Sequence, residues 1–424
     1  MTESNNIPKH WQLKKLGEVC QFIGGGTPSK KVISYWKGNI PWASIKDIKG
    51  TFLTKTTDFI SEEGVKNSAT NIASPGELII ATRINPGRVI LSKIKTAINQ
   101  DLKIARPKLH TDVSFLLYLF QNLERNIIKV SSGTTVLGIN LNLLNEIKIP
   151  IPPFPEQQAI VSKIEELFSE LDNGIAQLKT AQQQLKVYRQ SLLKWAFEGK
   201  LTNKHLKEGE LPKGWKNVEL KGIVERISDG PFGSNLKSID YVNEGVRVIR
   251  LENIGEMEFR NEYKTFVTQE KYETIKRYTV GKGDIIFSSF ISESIRSVIL
   301  PDYIESAINK ADCFLVRVSE ATVSKKYLAY YFSTKAMQNQ LVNQIHGATR
   351  PRINTTQLKA SKIPFAPLKE QQLIVSELES KLTVCDKIEE TISQSLQQAE
   401  TLRQSILKKA FEGKLVSSIK MNFA

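Results

Sequence analysis

RQSLLKWAFEGKL at residues 189–201 returns as RQSILKKAFEGKL at residues 403–415, a displacement of 214 positions. At that displacement the match runs backward without a gap. Glu156-Gln157-Gln158 falls on Glu370-Gln371-Gln372, KIPIPP (148–153) on KIPFAP (362–367), Ile139-Asn140 on Ile353-Asn354, and Gly133 on Gly347. A chain that repeats at such a distance holds two copies of one structural unit. Earlier in each copy the correspondence loosens. Trp11 matches Trp215, NIPWASIKDI (39–48) resembles GVRVIRLENI (245–254), and Ala97-Ile98-Asn99 returns as Ala307-Ile308-Asn309. The displacement there drifts from 204 to 210, as it does when surface loops change length on a shared fold. One part of each copy has diverged while the other has stayed fixed.

Charge follows the same division. The 424 residues carry 59 basic and 44 acidic side chains, a formal +15. Residues 1–154 hold 20 basic against 11 acidic groups, and residues 211–368 hold 23 against 17. Residues 155–210 and 369–424 are each neutral, with 8 against 8. All the excess charge lies in the diverged segments, which points those segments, and not the whole chain, at a polyanion such as double-stranded DNA. No run of 18 apolar residues occurs, and MTESNNIPKHWQLKK has no apolar core of a secretory signal, so no membrane partner is expected. Cys20, Cys313 and Cys385 are far apart, and His10, His110, His205 and His346 are scattered, without metal-ligand spacing. A cytoplasmic location with neither disulfide nor metal is the expectation.

The neutral segments read as long helices. From Ile160 the apolar positions run Ile160, Ile164, Leu167, Leu171, Gly174, Leu178, Ala181, Leu185, Tyr188, Leu192 and Trp195, a 4-3 alternation that marks a coiled-coil seam. The second copy gives Ile374, Leu378, Lys381, Cys385, Ile388, Ile392, Ser395, Ala399, Leu402, Ile406 and Lys409, in register but interrupted by polar residues. Proline-rich leads and acidic first turns precede both helices, and Gly199 and Gly413 stand where a C-cap glycine belongs. A helix over 156–197 is roughly 60 Å long at about 1.5 Å per residue. One apolar stripe on each helix predicts an antiparallel pair, acting either as scaffold or as a ruler between the two diverged domains.

The diverged segments read as mixed α/β. Short β-branched runs such as GELIIATR (76–83), GRVILSK (87–93), GDIIFSS (283–289) and DCFLVRV (312–318) alternate with turn residues. Helical patterns follow at 114–130 and 325–345. GGGTPSKK (24–31) and DGPFGSNLK (229–237) lack the spacing of a dinucleotide or phosphate cradle, which leaves a plain turn or a close backbone approach to DNA. Loop cations are the candidate DNA contacts: Lys30, Lys31, Arg83 and Arg88 in the first copy, and Lys237, Arg296, Arg350 and Arg352 in the second. Arginine suits guanine edges, although any one of these side chains can equally serve a phosphate or solvent. Ile151-Pro152-Pro153-Phe154 has the outline of an amino-methyltransferase motif, but Ile151 has no group to hold the target amine, so the stretch reads as a linker. Pro301–Ala307 likewise has Ala307 where a nuclease site needs lysine.

Two variable basic domains, KIPIPPFPEQQ with KIPFAPLKEQQ, and the paired FEGKL closures together resemble the specificity subunit of type I restriction-modification systems, over essentially the whole chain. The resemblance implies an α+β fold, a pseudo-twofold tandem repeat with two target-recognition domains (1–154 and 211–368). Two long antiparallel coiled-coil helices (155–210 and 369–424) would separate them. It also implies a non-catalytic subunit that reads a bipartite DNA target for two methyltransferase subunits and for restriction/translocase subunits. S-adenosylmethionine, ATP and magnesium would belong to those partners, with no cofactor in this chain. A fused or stand-alone DNA-modifying enzyme and an orphan specificity subunit are the alternatives.

Overall fold

The computed structural model describes residues 7–133, 136–203, 205–207, 209–291, 294–344 and 351–416. The chain forms two compact units. One consists of the residues up to Leu178 with those from Gln394 onward; the other is Lys179–Ser393. The segments 1–154, 155–210, 211–368 and 369–424 are thus not four separate bodies. Each unit takes one diverged segment, one half of the helix from its own copy and the complementary half of the helix from the other.

In the first unit the β-branched runs make two sheets. One has the order Cys20–Gly24, Leu102–Pro107, Leu78–Ala81, Val89–Ser92, Phe52–Leu53; the other has the order Asp58–Ile60, Ile40–Ala43, Thr96–Ile98, Asn71–Ala73. Every residue of Leu78–Ala81 and Val89–Ser92 is buried, as suits runs that are apolar except for Ser92. The helix Val113–Val130 lies over them with Phe115, Leu116, Leu119, Phe120, Leu123 and Ile127 buried. It starts at Asp112, whose carboxylate accepts from the Phe115 N–H. The second unit repeats the plan with a four-stranded sheet (Arg226–Ser228, Cys313–Arg317, Ile285–Ile291, Ile295–Ile299) and a five-stranded one (Tyr241–Val242, Phe266–Val267, Val246–Ile249, Ala307–Asn309, Thr279–Val280). Its helical stretch at 325–345 is broken into Lys325–Phe332 and Lys335–Val342, because the Thr334 hydroxyl accepts from the Met337 N–H and starts a new cap.

The fixed motifs are internal joints. Lys148–Ile151 and Lys362–Phe365 are strands paired antiparallel with Gln12–Lys15 and Lys216–Glu219, so that Ile151, at the start of the stretch read as linker, belongs to a strand. The long helices follow at Phe154–Phe197 and Leu368–Phe411. Gln157 is fully buried at the first helix start, where its carbonyl accepts from the Asp112 N–H and its amide donates to the Pro152 carbonyl. Gln371 repeats this with the Ser324 N–H and the Ala366 carbonyl. At the far ends, Gly199 (φ +76°) and Gly413 (φ +71°) take the left-handed conformation of a C-cap. Phe411 then packs edge-on to Phe115 in the first unit, and Phe197 packs on Tyr327 and Tyr331 in the second. Each core is therefore closed by the FEGKL of the other copy.

Within each unit the helix halves run antiparallel, and the seam differs from the 4-3 reading. Ile160, Ile164, Leu185, Leu192, Ile374, Leu378, Ile392 and Ile406 are buried, and Leu167, Leu171 and Leu178 are half-buried. Ile388 and Leu402, with Tyr188 and Trp195, are exposed instead. Every second row has moved on by one residue, to Phe168, Arg189 and Ala196 in the first helix and to Leu382, Glu389, Arg403 and Ala410 in the second. The moved rows hold a symmetric pair of ion bridges 214 positions apart. Arg189 reaches Asp386 at 2.7 Å and Glu389 at 3.0 Å, while Arg403 reaches Asp172 and lies 4.3 Å over the Phe168 ring.

Phe411→Ala is expected to cost about 3–5 kcal/mol, and the loss should be local to one unit. Hydrogen exchange should show lost protection in Val113–Val130, with Lys325–Phe332 unchanged; equal loss in both helices would contradict the exchanged closure.

Candidate nucleic-acid interface

Two of the loop cations of the first unit, Lys30 and Arg83, meet at one turn. The glycine-rich loop after Cys20–Gly24 lies against the turn Asn99-Gln100-Asp101: the Gly26 N–H donates to the Ile98 carbonyl, and Thr27 donates to Gln100. A Cβ on Gly25 would overlap the Ile98 and Asn99 carbonyls, so the glycine serves close backbone packing. Trp42 donates from its ring nitrogen to the Gly26 carbonyl and meets Trp36 edge-on. An open cleft of about 540 Å³ results, lined by Thr27, Lys30, Trp42, Ser44, Lys46, Asp58, Asn99 and Gln100. Lys46 is held by Asp58 at 2.7 Å. On the other side of the turn Arg83 bridges Asp101 at 3.2 Å, and Asn99 donates to the same carboxylate. Lys103 is half-buried nearby, and burial draws its ammonium below the ordinary lysine range, with Asp101 opposing and Arg83 adding to the shift.

The structure thus brings Lys30 and Arg83 to the two sides of one turn. Lys31 is exposed on the same loop. Arg88 stands apart, 3.9 Å from Glu124 and 3.5 Å from the Ile48 carbonyl.

In the second unit the equivalent turn is Asn309-Lys310-Ala311-Asp312. A Cβ on Gly230 would overlap the Asn309 carbonyl, as on Gly25. Asp312 accepts from the Ser289 hydroxyl at 2.8 Å and bridges Arg352 at 3.7 Å. The Asp229 carboxylate accepts from the Gly230 and Asp312 N–H groups. Arg296 is committed internally to the Leu251 carbonyl and the Ser288 hydroxyl. Lys237 is exposed, beside Leu236, whose carbonyl accepts from Lys310. Arg350 lies outside the described residues.

Lys46, Lys103, Arg250 and Lys310 were not singled out by the sequence reading. Arg250 and Lys310 approach the Tyr241 ring at 5.6 and 6.0 Å, and the ring faces them from a different strand. The repeated Ala-Ile-Asn followed by Asp was the available signal, because it marks the same turn in both copies.

Two stretches, residues 8–180 and 212–398, each match the model of the type I restriction modification DNA specificity domain. The chain belongs to this family. The MjaVIII specificity subunit of a type I restriction enzyme from Methanocaldococcus jannaschii is 23% identical over 418 residues, 96% of this chain and 94% of that protein. The EcoKI specificity subunit of Escherichia coli K12 is 24% identical over 98% of this chain and 91% of its own length. The crystal structure of the HsdS subunit from Thermoanaerobacter tengcongensis has the same fold, with a TM-score of 0.60 at 19% identity over 98% of this chain and all of that one. Among the described residues of this specificity protein no helix is long and apolar enough to cross a membrane.

Burial pushes the Asp229 carboxyl up to about 6, against the N–H donors of Gly230 and Asp312 and the charge of Arg352, which favour its ionised form. A carboxyl raised in this way stabilises the fold below its unfolded value of 3.8 and loses that contribution as pH rises through about 6. Asp229→Asn keeps an oxygen for both donors and removes the titration. Its unfolding free energy from denaturant titration should exceed that of the parent at pH 8, by on the order of 1 kcal/mol after allowance for solvent screening. The gain should vanish near pH 4.

Proposed function

We propose that this chain reads a bipartite DNA target, one half with each diverged domain, and directs two methyltransferase subunits and restriction/translocase subunits to it without catalysing a reaction itself. The observation that carries the reading is the double match to the DNA specificity domain, one match on each positively charged segment. Two short contacts, in which each mismatch costs about 1–3 kcal/mol, add to a discrimination that one small domain does not reach. The candidate contacts are Lys30, Lys31, Arg83, Arg88, Lys237, Arg296, Arg350 and Arg352. Lys46, Lys103, Arg250 and Lys310 join them, and Arg250 and Arg296 are the weakest because both terminal nitrogens of each are already engaged within the domain.

The neutral helices set the unspecified gap and hold the partners. Val187, Tyr188 and Trp195 on the first helix, and Val384, Ile388 and Leu402 on the second, are apolar and exposed. Such rows on a helix already paired along its buried face suit a protein partner. S-adenosylmethionine, ATP and magnesium belong to the partners in this reading, and the whole assembly works in the cytoplasm.

Exchanging residues 1–150 for those of another family member should change one half of the methylated sequence and leave the other; a change in both halves would refute the division of labour. Incubating the isolated chain with labelled S-adenosylmethionine and DNA should transfer no methyl group. One heptad added to both long helices adds about 10 Å at about 1.5 Å per residue. The gap should lengthen by about three base pairs, at about 3.4 Å each, with both half-sequences retained in the methylated sites.

A further inference from the structure

The two diverged domains can be superposed residue by residue at one point, through their backbone hydrogen bonds. In the first unit Thr82 N–H donates to the Asp101 carbonyl, Ile139 N–H to the Thr82 carbonyl, and Ile84 N–H to the Leu137 carbonyl. In the second, Ser289 N–H donates to Asp312, Ile353 N–H to Ser289, and Ile291 N–H to Pro351. The isolated bridges Arg83↔Gly138 and Phe290↔Arg352 complete the correspondence. Arg83 is therefore equivalent to Phe290, Gly138 to Arg352, and Asp101 to Asp312. Each domain has one arginine at this bridge, but the two arginines come from opposite sides of it. Both reach the equivalent aspartate, at 3.2 and 3.7 Å.

Stability does not account for this arrangement. The arginine side chains are 53% and 61% exposed, and ion pairs so exposed contribute about 0–1 kcal/mol. The aspartates, by contrast, are 12% and 24% exposed and anchored: Asp101 by Asn99, and Asp312 by the Ser289 hydroxyl. A guanidinium drawn to an anchored carboxylate through one nitrogen leaves the rest of its planar fork of N–H donors free. That fork matches the two acceptors of a guanine edge in the major groove. The charge at this point is retained while its place in the sequence is not, as recognition would demand and a backbone role would not.

We propose that Arg83 and Arg352 are the equivalent guanine-reading side chains of the two half-sites, with Asp101 and Asp312 as their positioning residues. The inference rests on the bipartite reading above. The test uses the full chain assembled with the modification subunits of its host, challenged with a pool of randomised 40-base-pair duplexes whose bound fraction is sequenced. A parent complex that selects no split motif overturns the bipartite reading itself. If the parent selects one, Arg83→Ala should lose preference at a single guanine position of one half, with binding to the parent motif weaker by on the order of 10- to 100-fold. Arg352→Ala should do the same in the other half. Asp101→Asn should relax the same position as Arg83→Ala, less severely. Arg83→Ala combined with Gly138→Arg moves the arginine to the side it occupies in the second domain and should restore both motif and affinity. Uniform weakening across all sequences, with a salt slope smaller by about 1, would make these phosphate contacts. That outcome, or an unchanged motif and affinity, overturns the inference.

Discussion

Each globular core of this protein lacks a wall until a phenylalanine arrives from the other copy of the repeat. Phe411 completes the packing around Phe115, and Phe197 completes it around Tyr327 and Tyr331. Burying an aromatic side chain is among the larger single contributions a core receives. The end of each long helix is thereby pinned, while a buried glutamine pins its start. A 44-residue helix with one apolar stripe has little stability of its own. Anchoring at both ends, together with an antiparallel neighbour, is what makes it a defined element.

The same constraint explains which parts of the sequence diverged. Glu156 accepts from Trp11 and pairs with His10, and Glu370 accepts from Thr202 and Asn203. Together with Gln157, Gln371 and the capping glycines, these groups satisfy buried donors and acceptors, and their loss leaves polar atoms stranded. The exposed lysines of the basic loops have no such duty. Lys30 and Lys237 are exposed and can be exchanged freely as long as the turns beneath them persist.

Much of this was legible in the residues. The repeat, the spans of both long helices, the C-cap glycines and the segregation of charge followed from spacing and counting alone. The phase of the seam did not, because Leu167 and Phe168 are both apolar and either satisfies a heptad; only packing chooses Phe168. The break at Thr334 was hidden for a similar reason: a threonine within an apolar helical pattern reads as a tolerated residue until its hydroxyl is seen to cap the next turn. Contacts between residues about 300 apart, such as Phe115 with Phe411, leave no local trace at all. The turn shared by Asp101 and Asp312 was visible as a repeated tripeptide, but its arginine partners occupy non-equivalent positions, so alignment alone does not pair them.

The exchanged closure also bears on ancestry. A protein of half this length, bearing one diverged segment and one long helix, could not fill its own core with its own FEGKL if the helix were rigid. Two such chains could fill each other's, making a symmetric homodimer by reciprocal exchange of helix ends. Joining them head to tail would preserve every one of these contacts while freeing the two halves to drift apart. A symmetric dimer of that kind would suit a palindromic site, whereas the joined chain suits an asymmetric one.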